Sequence, residues 1–342
     1  LRRAGSPENV DADTLFSIGS TSKAFAAATV ALLVSDGRIA WDDRVHKYLP
    51  WLELYDPAVA EQLTVRDMLS GTVGTLYQDE NELRPVSKDS RDILDRAKDI
   101  QPRTPFRSSF MYSNNMFIVS GLLVEEVTGQ SWPDFARERL WGPLGMESTG
   151  ASAEAAWASG NAASGHTKSW FSEKPKPRPY SYCDEVCVPS GGVNTSSDDV
   201  LSWLRFQLGD GSYAGKRIIS QAAFEEMHKP QNPMLPTNEA LLGIYIPFPS
   251  REIEAWGVSS PAYGFGWGMF DYRGERVLWH SGGANSTSNV AILVPRLSLG
   301  IFASANRLST SLSKVIPLYI LDAYLGGNDV DWNEAFAANG RP

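Results

Sequence analysis

The sequence predicts an α/β chain of the α+β kind, an antiparallel sheet flanked by helices and joined to a mostly helical part. Three observations carry that expectation. From about residue 210 onward, strand-like runs at 265–270, 276–279, 288–294 and 298–303 are separated by short Gly, Asn and Pro turns. Connections that short imply antiparallel pairing. Between residues 41 and 209, helix patterns dominate. Near the start, Phe16 and Ile18 lead through Gly19 into 24–33, which is almost unbroken apolar sequence and reads as a strand, a sharp turn and a buried helix.

Taken in order, residues 1–5 look like the end of a strand, followed by the helix that opens near Ser20. Helices are expected at 65–70, 90–98, 116–127 (ended by Gly129), 133–140 and 197–208, the last with Asp198 and Asp199 in its first turn. Residues 165–190 are turn-rich and include the run Lys174-Pro-Lys-Pro-Arg-Pro179, so an exposed loop bordering the site is expected there. A second irregular insertion is expected at 230–261. Both are rich in Pro and aromatic residues, which suits walls of a substrate pocket. A closing helix at 311–325 would cover the sheet despite Pro317. The division expected is residues 1–40 with 210–342 for the sheet-bearing domain and 41–209 for the helical one, with the active site between them.

Composition narrows the function classes. The 342 residues are enough to bury a core without staples, and the net charge of −9 is spread out with no basic stripe. Nucleic acid is therefore not an expected partner. No apolar run is long enough to span a bilayer, and no secretory leader is legible. Cys183 and Cys187 are the only cysteines; a local disulfide and two ordinary thiols fit equally, and two ligands without a histidine pair make a poor metal site. His46, His166 and His228 lie in polar segments without metal-ligand spacing and are expected at the surface.

The most informative stretch is Ser20-Thr21-Ser22-Lys23. A hydroxyl followed three residues later by an amine, at the start of an apolar helix, puts nucleophile and base on one face. A lysine at the mouth of a buried helix is costly unless paired, and partial desolvation makes it neutral enough to take a proton. The bland alternative is an N-capping Ser20 with Lys23 reaching to solvent. Two later segments count against it: Tyr112-Ser113-Asn114 directly before a helix pattern, and His280-Ser281-Gly282-Gly283 after a strand pattern.

This ordered trio, S-x-x-K, Y-x-N and H-x-G, resembles the serine β-lactamase and penicillin-binding superfamily. It is most similar to the branch holding class C β-lactamases, family VIII carboxylesterases and D-aminopeptidases. Supporting phrases are Leu63-Thr-Val-Arg-Asp-Met-Leu69, Trp141-Gly-Pro-Leu-Gly-Met146, Gly191-Gly-Val-Asn-Thr195 and Tyr263-Gly-Phe-Gly-Trp267, and the resemblance covers about residues 11–325. It implies the β-lactamase/transpeptidase-like fold, in which one or two strands usually precede the segment at Thr14, so N-terminal strands are expected to be missing here. One departure is Ser70-Gly-Thr-Val-Gly74, where the family often has a His-Thr-Ser-Gly-like run.

The resemblance implies Ser20 as nucleophile, with Lys23 and Tyr112 managing its proton in an order left open. Asn114 would hold the Lys23 amine or a substrate carbonyl, its bland alternative being a helix cap. Gly282 and Gly283 would let the strand approach the substrate, with the Gly283 and Ser20 N–H groups forming the oxyanion hole. His280, with Ser281 beside it, stands where β-lactam enzymes usually place a lysine that attracts the substrate carboxylate. A neutral imidazole weakens that anchor, so neutral esters are expected to outpace carboxylate-bearing amides, with positive charge restored below about pH 6.5. The expected activity is a cofactor-independent serine hydrolase, first a carboxylesterase on small esters. Second is a D-amino-acid-directed peptidase, third a β-lactamase, and an acyltransferase is the runner-up mechanism. A catalytically silent scaffold would need none of these residues together. The oligomeric state is left open.

Overall fold

The computed structural model describes residues 1–169, 172–178, 187–234, 247–248, 253–308, 310–327 and 330–338. A six-stranded sheet runs in the order Leu299–Ala305, Ser288–Val294, Glu275–Gly282, Gly268–Tyr272, Val258–Tyr263, Asn232–Pro233. Every neighbouring pair is antiparallel. Strand Ser288–Val294 is buried at all seven positions, and from residue 290 onward it reads as a continuous apolar run. Helix Leu312–Leu325 packs on it and on the edge strand Leu299–Ala305. Helix Ser197–Gln207 packs on the same edge strand, where Leu204 lies close over Gly300.

Helix Ser22–Ser35 is buried from Ser22 to Leu33. It is apolar on every side because it is covered on every side, by Asn115–Thr128, Val188–Gly191 and Gln221–Met227. Its neighbours hold the expected helical stretches with small shifts of their ends: Val65–Ser70, Ser90–Ala97, Asn115–Thr128 and Ser197–Gln207. The stretch expected at 133–140 divides into Trp132–Ala136 and a π turn at Arg137–Trp141. No described helix is long and apolar enough to cross a membrane.

Four expectations change. The strand expected at 265–270 begins only at Gly268, because 264–267 turn back to bring Gly266, at φ +74°, against the carbonyl of Lys23; a Cβ there would sit 2.6 Å from that oxygen. Val258–Tyr263, which begins inside the supposed insertion and ends two residues past it, is a full strand. A bulge between Ser259 and Ala262, with Ser260 at φ +52°, breaks its alternation and accommodates Pro261. The supposed loop at 165–190 contains a hairpin, His166–Ser169 with Ser172–Pro177; in a two-stranded ribbon the prolines cost no central ladder bond. Residues 1–5 form a turn, not a strand end, with Gly5 at φ +84° and the Arg2 N–H donating to the Glu8 carbonyl.

Candidate active site

Strand Phe16–Ser17 pairs with Asn194–Thr195, and the chain then reverses through Gly19 at φ +53° into a 3-10 turn, Gly19–Thr21. The α-helix starts at Ser22 with Thr21 at its N-cap, so Ser20 is not the cap and its hydroxyl is available for other contacts. Lys23 is fully buried. Its Nζ donates to Asn114 Oδ1 at 2.7 Å and to the Ser190 carbonyl at 2.7 Å, and lies 3.3 Å from Ser20 Oγ. Burial holds the amine well below its usual range; the positive charge of Arg84 pushes the same way and Glu80 opposes it. A neutral amine has two N–H bonds and one lone pair. In that form, with both hydrogens given to the two fixed acceptors, the lone pair is the part left to face Ser20.

Tyr112 is buried, and its hydroxyl interacts with Ser20. Burial pushes the phenol far above its usual value, so it stays protonated at neutral pH. Asn114 heads helix Asn115–Thr128, but its side chain does not cap that helix. Its Oδ1 accepts from Lys23, and its Nδ2 donates to Asn81 Oδ1 at 3.1 Å. Glu80 does the capping. Its buried carboxylate accepts from the N–H groups of Asn114 and Asn115 at 2.6 and 3.0 Å, from Ser113 Oγ at 2.6 Å and from Thr75 Oγ1 at 2.9 Å.

His280 and Ser281 lie on strand Glu275–Gly282, longer than the sequence suggested by three residues at this end. Nδ1 of His280 is 2.7 Å from the Ser281 carbonyl, which can only accept, so Nδ1 carries the proton. Nε2 is then the acceptor facing Tyr263 Oη at 3.3 Å. Burial, with a smaller push from Lys23, depresses the imidazole to about 3. This corrects the expectation of a charge returning near pH 6.5. Gly282 and Gly19 are required by close approach: a Cβ on Gly282 would lie 1.9 Å from the Ile18 carbonyl oxygen and 3.1 Å from Ser20 N, and one on Gly19 would lie 2.5 Å from Gly283 N. The Ser20 and Gly283 backbones are thereby held together.

Ser20, Tyr77, Asn81, Arg84, Tyr112, Asn114, His280, Ser281 and Gly283 line one cleft of about 170 Å³. A larger hollow of about 450 Å³ along 147–152 contains none of the S-x-x-K, Y-x-N or H-x-G residues. All the residues expected at the site are thus close together, and Glu80, Asn81, Ser190 and Tyr263 join them without having been anticipated. Glu80 sits in Gln78-Asp-Glu-Asn81, which looks like a solvated surface run. Ser190 contributes a carbonyl, which no side-chain type announces.

Of the remaining histidines only His166 is buried, and His228 and His46 are half-buried. His166 lies between the Ala4 N–H and the Asn306 carbonyl, and His228 bonds Gln207 Oε1 at 2.8 Å, its imidazole lowered to about 4 by burial. Cys183 lies outside the described residues, and Cys187 is buried. Among the described residues no group of acidic, His and Cys side chains is arranged to hold a metal ion.

A hydroxyl, a desolvated amine and a protonated phenol meeting at a helix start are the parts that serine acyl transfer requires. The chain belongs to the beta-lactamase family of serine hydrolases: the family model described as Beta-lactamase matches residues 1–325. It is 29% identical to an unguisins hydrolase of Aspergillus campestris over 95% of this chain, and spans 60% of that relative's length. It is 26% identical to penicillin-binding protein 4 of Amycolatopsis lactamdurans, over 84% of this chain and 70% of the relative. In fold it is similar to an octameric penicillin-binding protein homologue from Pyrococcus abyssi, with a TM-score of 0.75, 21% identity, and coverage of 96% of this chain and 69% of that one. It is also similar in fold to a D-amino acid amidase from Ochrobactrum anthropi, with a TM-score of 0.70, 20% identity, and coverage of 94% and 86%.

Proposed function

We propose that the chain is a cofactor-independent carboxylesterase that acylates Ser20 with small esters and transfers the acyl group to water. The observation that supports this most directly is the Lys23 environment. Its two short hydrogen bonds to Asn114 and Ser190 and its complete burial suit a neutral amine whose lone pair faces Ser20 Oγ. In this reading Ser20 Oγ attacks the ester carbonyl as its proton passes to Lys23 Nζ. The oxyanion is received by the N–H groups of Ser20 and Gly283. As the carbon–oxygen bond to the leaving group breaks, the Lys23 ammonium returns its proton to the departing alkoxide through the Tyr112 hydroxyl. Water then attacks the acyl-enzyme with the same groups in the reverse roles. The size of the cleft, about 170 Å³, favours short acyl and alcohol portions.

An amide-directed activity, on D-amino-acid-like peptides or amides, is the second reading. It is favoured by Tyr112 staying protonated, since an amine leaving group must be protonated to depart. Intact mass after incubation with a fluorophosphonate tests the common step. One adduct mapped to Ser20, absent from Ser20→Ala, supports the reading, and full ester turnover by a folded Ser20→Ala variant sinks it. Relative kcat/KM on matched esters and amides then separates the two substrate classes.

A further inference from the structure

The cleft contains a cation that no step above uses. Arg84 opens the short 3-10 turn Arg84–Val86 and lines the same cavity as Ser20, Tyr112 and Gly283. Its guanidinium makes no ion pair or side-chain hydrogen bond among the described residues. The nearby carboxylates are otherwise engaged or turned away. Glu80 is filled by four donors from the Thr75 and 113–115 segments, Asp79 pairs with Arg103 at 2.6 Å, and Glu82 is exposed. The cleft's other titratable groups carry no compensating negative charge: Tyr77 and Tyr112 are protonated phenols, Lys23 is a buried amine, and His280 is a neutral imidazole with both nitrogens facing partners. A half-buried guanidinium with unused donors, in a cavity that holds a nucleophile and, among the described residues, no free anion, is built for an anion brought from outside.

We propose that Arg84 is the anion anchor of this site, so that the preferred substrates are small esters carrying a carboxylate within reach of the cleft wall formed by residues 77–84. This rests on the acyl-enzyme reading and sharpens it. It also reverses the expectation drawn from His280. The imidazole position is neutral, and the charge that recognises the substrate comes from another segment lining the cleft, the one that carries Tyr77, Asn81 and Arg84. A guanidinium suits a carboxylate because its planar N–H fork donates to both oxygens, and arginine holds its charge across the whole working range, so the preference is independent of pH above the carboxylate's own pKa.

The test compares 4-nitrophenyl butyrate with 4-nitrophenyl hemiglutarate for a charge on the acyl side, and phenyl acetate with 4-acetoxybenzoate for a charge on the leaving side. The wild type should favour the anionic member of at least one pair. In Arg84→Gln the ratio of kcat/KM for anionic over neutral ester should fall by about 10-fold to 100-fold, the range for losing one charge-assisted bond. Most of that loss should appear in KM. Arg84→Lys should recover part of the ratio, and added salt should lower it in the wild type more than in Arg84→Gln. If both variants fold and label at Ser20 while every ratio matches the wild type's, Arg84 is not the anchor. If the wild type does not label at Ser20 at all, it is the acyl-enzyme reading that fails. Should Arg84→Gln fail to fold, Arg84→Lys and the salt series in the wild type still decide the matter, since a salt-independent ratio overturns the proposal.

Discussion

Replacing Glu80 separates two effects of one carboxylate. Glu80→Ala removes the acceptor for the Asn114 and Asn115 N–H groups, which sit buried at the start of a helix with no substitute acceptor among the described residues. Each buried N–H left without a partner costs about 1–3 kcal/mol, so the variant should lose about 2–6 kcal/mol of stability. The two hydroxyls are more forgiving, because Ser113 Oγ already accepts from the Met116 N–H and can reorient. Glu80→Gln is nearly isosteric. Its carbonyl oxygen can stay on the two amides while its NH2 faces Ser113 Oγ and Thr75 Oγ1, both of which are able to accept. It should therefore fold, losing only about 1 kcal/mol as charged bonds become neutral ones. Its kinetic effect is distinct. Glu80 raises the Lys23 pKa, so removing the charge lets it fall further. If the neutral amine is the base, as proposed, the acid limb of kcat/KM against pH should move to lower pH in Glu80→Gln. Urea unfolding followed by tryptophan fluorescence measures the first effect and an ester pH–rate profile the second. A loss under 1 kcal/mol in Glu80→Ala, or an acid limb that stays or rises in folded Glu80→Gln, would refute the reasoning.

Other outcomes follow from the same geometry. Lys23→Met and Tyr112→Phe should each lower ester turnover more than ~100-fold, while the double variant falls well short of the product, because one proton path is being cut twice; multiplicative losses in steady-state kinetics would count against a shared relay. Gly19→Ala puts a Cβ against Gly283 N at a positive φ, so kcat should fall by about 100-fold as the two amides separate, and unchanged kcat would remove them from the oxyanion role. His280 and His228, depressed to about 3 and about 4, stay neutral when folded but protonate near 6.5 when unfolded. The unfolded state thus binds more protons below pH 6.5, and stability should decline as pH falls toward 4 by up to about 1.4 kcal/mol per pH unit for each. His228→Gln should flatten that slope by one proton, and identical slopes in urea titrations at pH 7, 6 and 5 would show otherwise.

The sequence was most readable where chemistry requires a residue type at a fixed offset. Ser20 and Lys23 were legible because a lysine in the first turn of a buried apolar helix is costly unless paired, and strand Ser288–Val294 was legible from the apolar run over 290–294 that complete burial favours. Val258–Tyr263 was hidden by its bulge, which breaks the two-residue alternation that marks a strand. His166 and His228 looked exposed because their polar neighbours were visible and their distant partners, Asn306 and Gln207, were not. Glu80 and Ser190 were missed for a related reason: one acts through backbone amides and the other as a backbone carbonyl, and neither kind of partner is written in residue types.

The stretch from Tyr77 to Arg84 has two occupations. Glu80 and Asn81 point inward and hold the 113–115 segment, while Tyr77, Asn81 and Arg84 line the cleft. In the proposed reading, recognition and proton handling therefore share eight consecutive residues, tied at Asn81, which belongs to both. A loop graft meant to change what this cleft holds would also reset the Lys23 amine, through Glu80, through Asn81 by way of Asn114, and through the charge of Arg84. Change within this segment is thus constrained at Glu80 and Asn81, and a substitution at Arg84, whose charge also depresses the Lys23 amine, would touch both functions at once.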